Sequence, residues 1–168
     1  EPSPHDFGAV EVGSDALVEL FTITSSASAP FQLGAVSVDN PTFSVSRVDP
    51  GSYPASIDPG GTATFEVAAQ PGEVGTAAGT VTVTTSISAA TLTRSRVSAN
   101  GTAPDLVLSK SATDFGPVDL DAASDARRTV TLTNAGSAPL TLSGIEITGP
   151  QAATSCSISL AMSPGGMV

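Results

Sequence analysis

The sequence predicts an all-β protein made of two antiparallel β-sandwich modules in tandem, the second of them incomplete. Helix signals are nearly absent, because 16 Gly and 13 Pro interrupt a chain of 168 residues. Short segments of Val, Ile, Thr and Phe alternate with Ser, Gly, Pro, Asn and Asp about every ten residues, as in sandwiches and barrels. The third observation is an internal repeat of about module length.

The repeat is visible in three segments. Asp6–Val10 (DFGAV) returns as Asp114–Val118 (DFGPV), an offset of 108 residues (114 − 6). The segment FTITSSASAPFQLGAVSVDNP, which begins at Phe21, returns as VTLTNAGSAPLTLSGIEITGP, which begins at Val130 (130 − 21 = 109). IDPGG at residues 57–61 returns as MSPGG at residues 162–166. These offsets predict two copies of one module with small insertions in the turns.

Apolar residues at period two predict the strands of the first module and their buried face. Further strands are expected at Thr62–Ala68, Gly79–Thr85 and Thr91–Ala99. The alternation shifts phase at Gly34, and at Ser143 in the second copy, which predicts a β-bulge. The core expected from these phases consists of Phe21, Ile23, Phe31, Leu33, Phe65, Val67, Val81 and Val83.

Turn residues set the predicted domain limits. Pro59–Gly61 is expected to form a tight turn, and Asn100 with Gly101 to end the first module. We therefore predict domains at residues 1–103 and 104–168, each built on an immunoglobulin-like sandwich, a fold of about 100 residues. The strand-like segment Asp105–Leu108 has no counterpart in the first copy, whose first strand is expected to be missing. Only the N-terminal half of the second copy is expected, as in a fragment of a longer array.

A half-module predicts an open edge. Val130, Leu132, Ile145 and Ile147 are expected to be partly uncovered beside unpaired backbone groups. Such an edge accepts a strand from elsewhere. The strand would come from the rest of the parent chain or from a second copy, which would give a homo-oligomer by strand exchange.

Composition excludes several partners. With 6 basic and 16 acidic residues, the formal net charge is −10, which disfavours nucleic acid and anionic lipid surfaces. No apolar run approaches the roughly 20 residues of a membrane helix, so no membrane insertion is expected. The single cysteine, Cys156, rules out an internal disulfide framework.

No catalytic or cofactor site is expected. A catalytic triad needs a histidine as base, and the only histidine is His5. The second copy has Thr113 in its place, so His5 is interpreted as an exposed bystander. Asp119, Asp121 and Asp125 crowd one turn and could offer oxygens to Ca²⁺, but the spacing lacks the Gly and the distal Glu of an EF-hand loop. We favour an acidic solvated turn over a calcium site, and no metal is expected.

The motifs LxLSxxxxDFGxV, VTLTNxGxAPLTLSGI, the PGG turn and FEVxxxPxxxGxxxGTVTV resemble the Hydin-type (ASH/MSP-like) immunoglobulin-like repeats of bacterial "choice-of-anchor D" surface proteins. The resemblance spans essentially the whole chain. It implies a seven-stranded sandwich that serves as spacer or protein-interaction module. It also implies a Cys pair around the PG turn. Cys156 fits the first position, and Val168 stands near the second.

The predicted function is a non-enzymatic structural or protein-binding repeat of a larger bacterial secreted or cell-surface protein. Its expected partners are another protein or further repeats of the same chain. The alternative is a subunit that self-assembles or binds a partner by β-strand complementation of the incomplete second module. A third hypothesis is a calcium-stabilised adhesin segment.

Overall fold

A computed structural model describes residues 4–86, 93–117, 128–146 and 160–168. These residues contain twelve strands and no helix, which confirms the all-β prediction. The chain divides into two compact units, Glu1–Thr102 and Ala103–Val168. The strands of the first unit are β1 (His5–Glu11), β2 (Leu17–Thr24), β3 (Phe31–Val38), β4 (Phe43–Asp49), β5 (Ala55–Ile57), β6 (Thr62–Ala69), β7 (Gly75–Thr85) and β8 (Thr93–Thr102).

The first unit is a sandwich of two sheets. One has the strand order β1-β8-β7-β3-β5 and the other β2-β6-β4. The neighbours β8-β7-β3 and β2-β6-β4 have the arrangement of the two sheets of an immunoglobulin-like domain. One pairing departs from the predicted antiparallel pattern, because β1 and β8 run parallel. Parallel strands need a long connection, and here the whole unit lies between the two strands.

The core lies between the two sheets. Of the eight predicted core residues, Leu33, Phe65, Val67, Val81 and Val83 are buried. The other three, Phe21, Ile23 and Phe31, are half-buried and pack against the core. Buried residues that the period-two pattern missed are Phe7, Val10, Phe43, Ile57, Ala63, Ala69, Val97 and Ala99.

The predicted bulge at Gly34 is confirmed. The register of β3 against β7 shifts between Leu33 and Ala35. The Ala35 N–H donates to Thr84 Oγ1 over 2.7 Å, which replaces a ladder bond. A Cβ at Gly34 would lie 2.7 Å from that hydroxyl oxygen, so glycine leaves room for the Thr84 side chain to make this bond.

Asn100 and Gly101 lie at the end of the first unit, whose last residue is Thr102, but they do not form a turn. Strand β8 continues through both residues to Thr102. Gly101 is buried inside the sheet, opposite Gly75 of β7 and Val10 of β1. A Cβ at Gly101 would collide with the carbonyl group of Glu73. This glycine therefore permits a close backbone approach rather than a turn.

We expect Gly101→Ala to destabilise the first unit by about 1–3 kcal/mol, because the new methyl group must displace the Glu73 backbone. Urea denaturation followed by circular dichroism would measure the change. The matched control is Gly72→Ala, where a Cβ meets nothing within 4 Å. Equal stability of the two variants would contradict this account of Gly101.

The second unit contains two small antiparallel sheets. Strand β9 (Leu106–Leu108) pairs with β10 (Leu132–Asn134), and β11 (Leu140–Leu142) pairs with β12 (Leu160–Met162). Strand β11 ends just before Ser143, where the sequence predicted a second bulge. The buried side chains of the described part of this unit are Asn134, Ala138, Leu142 and Met162.

Candidate functional site

The predicted open edge in the second unit is partly filled. Strand β10, which carries Leu132, is bonded on both sides. Leu132 exchanges two backbone hydrogen bonds with Val168, of 2.9 and 3.1 Å, and β9 occupies the opposite edge. Val130 and Leu132 are half-buried, Ile145 is 39% exposed, and Ile147 lies outside the described residues. The unpaired backbone expected at Leu132 is therefore not found.

The second unit does expose apolar side chains. All three residues of β9 are exposed, although a strand with one buried face would bury every second side chain. Contiguous exposed apolar surface marks contact sites for other proteins or for further parts of the same chain. The large exposed apolar residues of this unit are Leu106, Val107, Leu108, Phe115, Ile145, Met167 and Val168.

A buried amide organises the second unit. Asn134 is fully buried, and its Oδ1 accepts hydrogen bonds from the N–H groups of Asp105 (3.2 Å) and Gly136 (3.1 Å). Its Nδ2 donates to the carbonyl groups of Ala138 (2.8 Å) and Met162 (3.2 Å). The side chain therefore joins the lead-in to β9, the loop after β10 and the end of β12. No sequence pattern predicted a structural role for this residue.

The repeated DFG motif is a structural device. Asp6 accepts a hydrogen bond from the Gly8 N–H, as Asp114 does from the Gly116 N–H, and both glycines have positive φ. The Gly8 N–H and then the Ser98 hydroxyl lower the pKa of Asp6. Because Ser98 lies on β8, the Asp6 carboxylate also ties β1 to that strand.

The PGG turn is likewise identical in the two units. The N–H of Gly61 donates to Asp58, and the N–H of Gly166 donates to Ser163. The preceding residues, Gly60 and Gly165, have φ values of 75° and 74°. Glycine adopts this backbone without strain. The motif is therefore repeated in the two units because it forms the same turn, and not because it carries a reactive side chain.

His5 is not the exposed bystander that the sequence suggested. It is half-buried and packs edge-on against Phe7 and Phe21, with ring centroids 4.8 and 5.4 Å apart. Asp119, Asp121, Asp125 and Cys156 lie outside the described residues. Within residues 4–86, 93–117, 128–146 and 160–168, no three His, Cys, Asp or Glu side chains form a group that could hold a metal ion.

Concavities are found in the described part of the first unit. Two have volumes of about 480 Å³, one beside Gln70–Ala77 and the other beside His5, Asp39 and Arg96. Another, of about 220 Å³, lies between the sheets. Its lining is mostly apolar and consists of Phe21, Thr22, Ile23, Thr24, Phe65, Val81, Val83 and Ser95.

We expect no micromolar Ca²⁺ site at Asp119, Asp121 and Asp125, because their spacing lacks the Gly and the distal Glu that complete a calcium loop. Titration calorimetry of the whole chain with Ca²⁺ would check this, with Asp121→Ala as the matched variant. A tight site that disappears in Asp121→Ala would contradict the expectation.

No protein-family model matches the chain, and no curated protein matches it. A protein of unknown function from Porphyromonas gingivalis W83 is 20% identical, with a TM-score of 0.46, over 57% of this chain and 43% of that one. The secreted serine protease VesC from Vibrio cholerae is 15% identical, with a TM-score of 0.45, over 60% and 22%. The chain thus spans less than half the length of these two structures.

A third solved structure aligns over more of the chain. It is the CsuC-CsuE chaperone-tip adhesion subunit complex from Acinetobacter baumannii, which is 11% identical with a TM-score of 0.37. The alignment covers 96% of this chain and 82% of that one. In the part of the chain that the structure describes, no helix has the length and apolar character needed to cross a membrane.

Proposed function

We propose that the chain is a non-enzymatic structural or protein-binding repeat segment of a larger bacterial secreted or cell-surface protein, of the Hydin-type (ASH/MSP-like) "choice-of-anchor D" kind. The observation that carries the proposal is the structural role of the repeated polar residues. Asp6, Asp114 and the two PGG turns form the same hydrogen bonds in both units. These motifs stabilise the fold of each unit, and their repetition supports a modular, mechanical role.

Binding of other proteins is supported by the strand edges. Strands β2 and β4 border one sheet of the first unit, and β1 and β5 border the other. An edge strand offers main-chain donors and acceptors that a partner strand can use, with side-chain pockets supplying selectivity. Exposed apolar residues lie on one such edge strand, β2, at Leu17, Val18 and Leu20.

An extracytoplasmic location is part of the proposal. The net charge of −10 keeps a protein soluble in the secreted or surface-exposed state. Fractionation of the producing bacterium, with antibodies against this chain, tests the location, which is expected to be extracytoplasmic. A signal confined to the cytoplasm would overturn it.

A spacer and a binding module differ in how they tolerate replacement. In the parent protein, exchange of this segment for unrelated sandwich modules of equal length would preserve the function of a spacer. The same exchange would abolish the function of a binding module. Loss of a chemical turnover activity after the exchange would instead indicate an enzyme.

A second candidate function is self-assembly by strand complementation of the second module. The exposed residues of β9, together with Ile145 and Met167, favour it. Sedimentation over a wide concentration range tests this candidate, for which concentration-dependent oligomers are expected. The calcium-stabilised adhesin stands as the third candidate and depends on the Ca²⁺ titration described above.

A further inference from the structure

The pair formed by Asn100 and Gly101 has a reactivity that the other asparagines lack. When glycine follows asparagine, its main-chain nitrogen can attack the side-chain carbon Cγ, because glycine has no β-carbon to hinder the approach. The sequence has three asparagines. Asn40 precedes Pro41, whose nitrogen carries no hydrogen, and Asn134 precedes an alanine. Asn100 is therefore the asparagine that the sequence predisposes to this attack.

The fold places this pair inside a sheet. Asn100 lies on β8 between Thr76 of β7 and Ala9 of β1. Gly101 follows it in the same strand and pairs with Gly75 of β7. Two neighbouring strands thus hold both residues in extended backbone. Ring closure between the Asn100 side chain and the Gly101 nitrogen requires the main chain to rotate out of this conformation, so β8 must first separate from its neighbours.

The attacking nitrogen belongs to the less accessible residue of the pair. Gly101 is buried, whereas Asn100 is exposed. On the β1 side, the carbonyl of Thr102 accepts a hydrogen bond from the Val12 N–H over 2.8 Å. Because hydrogen-bonding direction alternates along a strand, the Gly101 N–H points to the opposite side, towards β7. Attack requires this N–H to lose its proton, and the folded sheet shields it from water and hydroxide.

We propose that Asn100 is a deamidation site that the folded first unit masks and that opening of β8 exposes. In the opened chain, the Gly101 nitrogen loses its proton, forms a bond to Asn100 Cγ and expels the side-chain nitrogen as ammonia. The product is a five-membered succinimide. Water then adds to one of its two carbonyl carbons and opens the ring to aspartate or isoaspartate. The net reaction consumes one water and releases one ammonia, without oxidation or reduction.

The two products differ in their effect on the fold. Aspartate at position 100 leaves the main chain unchanged and places its carboxylate at an exposed position. Isoaspartate routes the main chain through the side chain and so lengthens the backbone by one carbon atom. The sheet has no room for this atom, since even a Cβ at Gly101 would collide with the carbonyl group of Glu73. Isoaspartate therefore keeps the end of β8 from pairing again, and a transient opening becomes a permanent one.

The first experiment compares rates of deamidation at mildly alkaline pH. The intact chain is incubated beside a peptide with blocked ends, VSANGTAP, which has the sequence of residues 97–104. Mass spectrometry of proteolytic fragments locates the reaction, and an isoaspartyl methyltransferase assay detects isoaspartate. Asn100 is expected to react about tenfold or more slowly in the folded chain than in the peptide, because only the opened fraction reacts. In urea, the rate in the chain should approach that of the urea-treated peptide.

The other asparagines and one variant serve as controls. In the unfolded chain, Asn134 should react more slowly than Asn100, and Asn40 should not form a succinimide. Asn100→Asp has the charge of the products without the added backbone atom. This variant should unfold in urea close to the native chain. The isoaspartate form, separated by chromatography after reaction in urea, should fail to recover the amide protection of β8 when the urea is removed.

Three outcomes would overturn the proposal. Equal rates at Asn100 in the folded chain and in the peptide would show that the sheet does not mask this site. Faster reaction at Asn134 than at Asn100 in the unfolded chain would show that the following glycine does not determine the site. Refolding of the isoaspartate form to the stability of Asn100→Asp would show that the added backbone atom is tolerated. None of these measurements depends on the proposed function.

Discussion

Replacement of Phe65 by alanine is expected to lower the unfolding free energy of the first unit by about 3–5 kcal/mol. Phe65 is 3% exposed on β6, the middle strand of its sheet, and its ring stacks on Phe21 with centroids 5.4 Å apart. Val67, Val81 and Val97 belong to the same cluster. Truncation leaves a cavity that these β-branched neighbours cannot fill without moving two strands.

The measurement is a urea unfolding curve followed by circular dichroism. The matched control is Leu20→Ala on β2, where the side chain is 58% exposed and a change within about 0.5 kcal/mol is expected. Phe31→Ala, at a half-buried position, should fall between the two. A loss below about 1 kcal/mol for Phe65→Ala would show that this ring does not support the core.

Asn134→Ala is expected to destabilise the second unit by about 3 kcal/mol. The change removes four hydrogen bonds, two of them buried bonds to the carbonyl groups of Ala138 and Met162. Hydrogen exchange should report it as lost protection in β9 and β10, with the first unit unaffected. The control is Asn100→Ala, at an exposed asparagine of β8.

Asn134→Asp sharpens this test. The carboxylate keeps an acceptor oxygen in the place of Oδ1. The amide nitrogen, which donates two hydrogen bonds, is replaced by a negatively charged oxygen that faces two carbonyl groups. Its pKa in the folded unit should be raised above the unfolded value, so the variant should be more stable below the unfolded pKa and weaken as the pH rises through the folded pKa. Equal stability of Asn134→Ala and the native chain would refute the role assigned to this amide.

The sequence predicts those strands in which burial follows strict alternation. In β6, every second residue from Ala63 to Ala69 is buried, and the expected Thr62–Ala68 strand differs from the observed one by a single residue. Strand β1 escaped prediction because its register against β8 shifts between Asp6 and Ala9, which places the buried Phe7 and Val10 three residues apart. Strand β5 has only three residues, too few to show a period.

The functional features were less predictable, since they arise from contacts between distant segments. Asn134 aligns with a serine in the first copy, so the repeat gives no sign of a four-bond amide there. Asn100 and Gly101 form a dipeptide that usually marks a hairpin turn. Only the approach of the Glu73 backbone in the folded sheet shows why glycine is needed at that position.

The parallel pairing of β1 with β8 determines how the first unit carries tension. The chain enters β1 at His5, opposite Val97, and leaves β8 at Thr102, opposite Glu11. A pull on these two points slides the strands past each other along their length. The main-chain hydrogen bonds between them are then loaded together in shear. In an antiparallel terminal pair, by contrast, the bonds would break one after another. The parallel pairing therefore opposes separation of the two ends of this unit through many bonds at once.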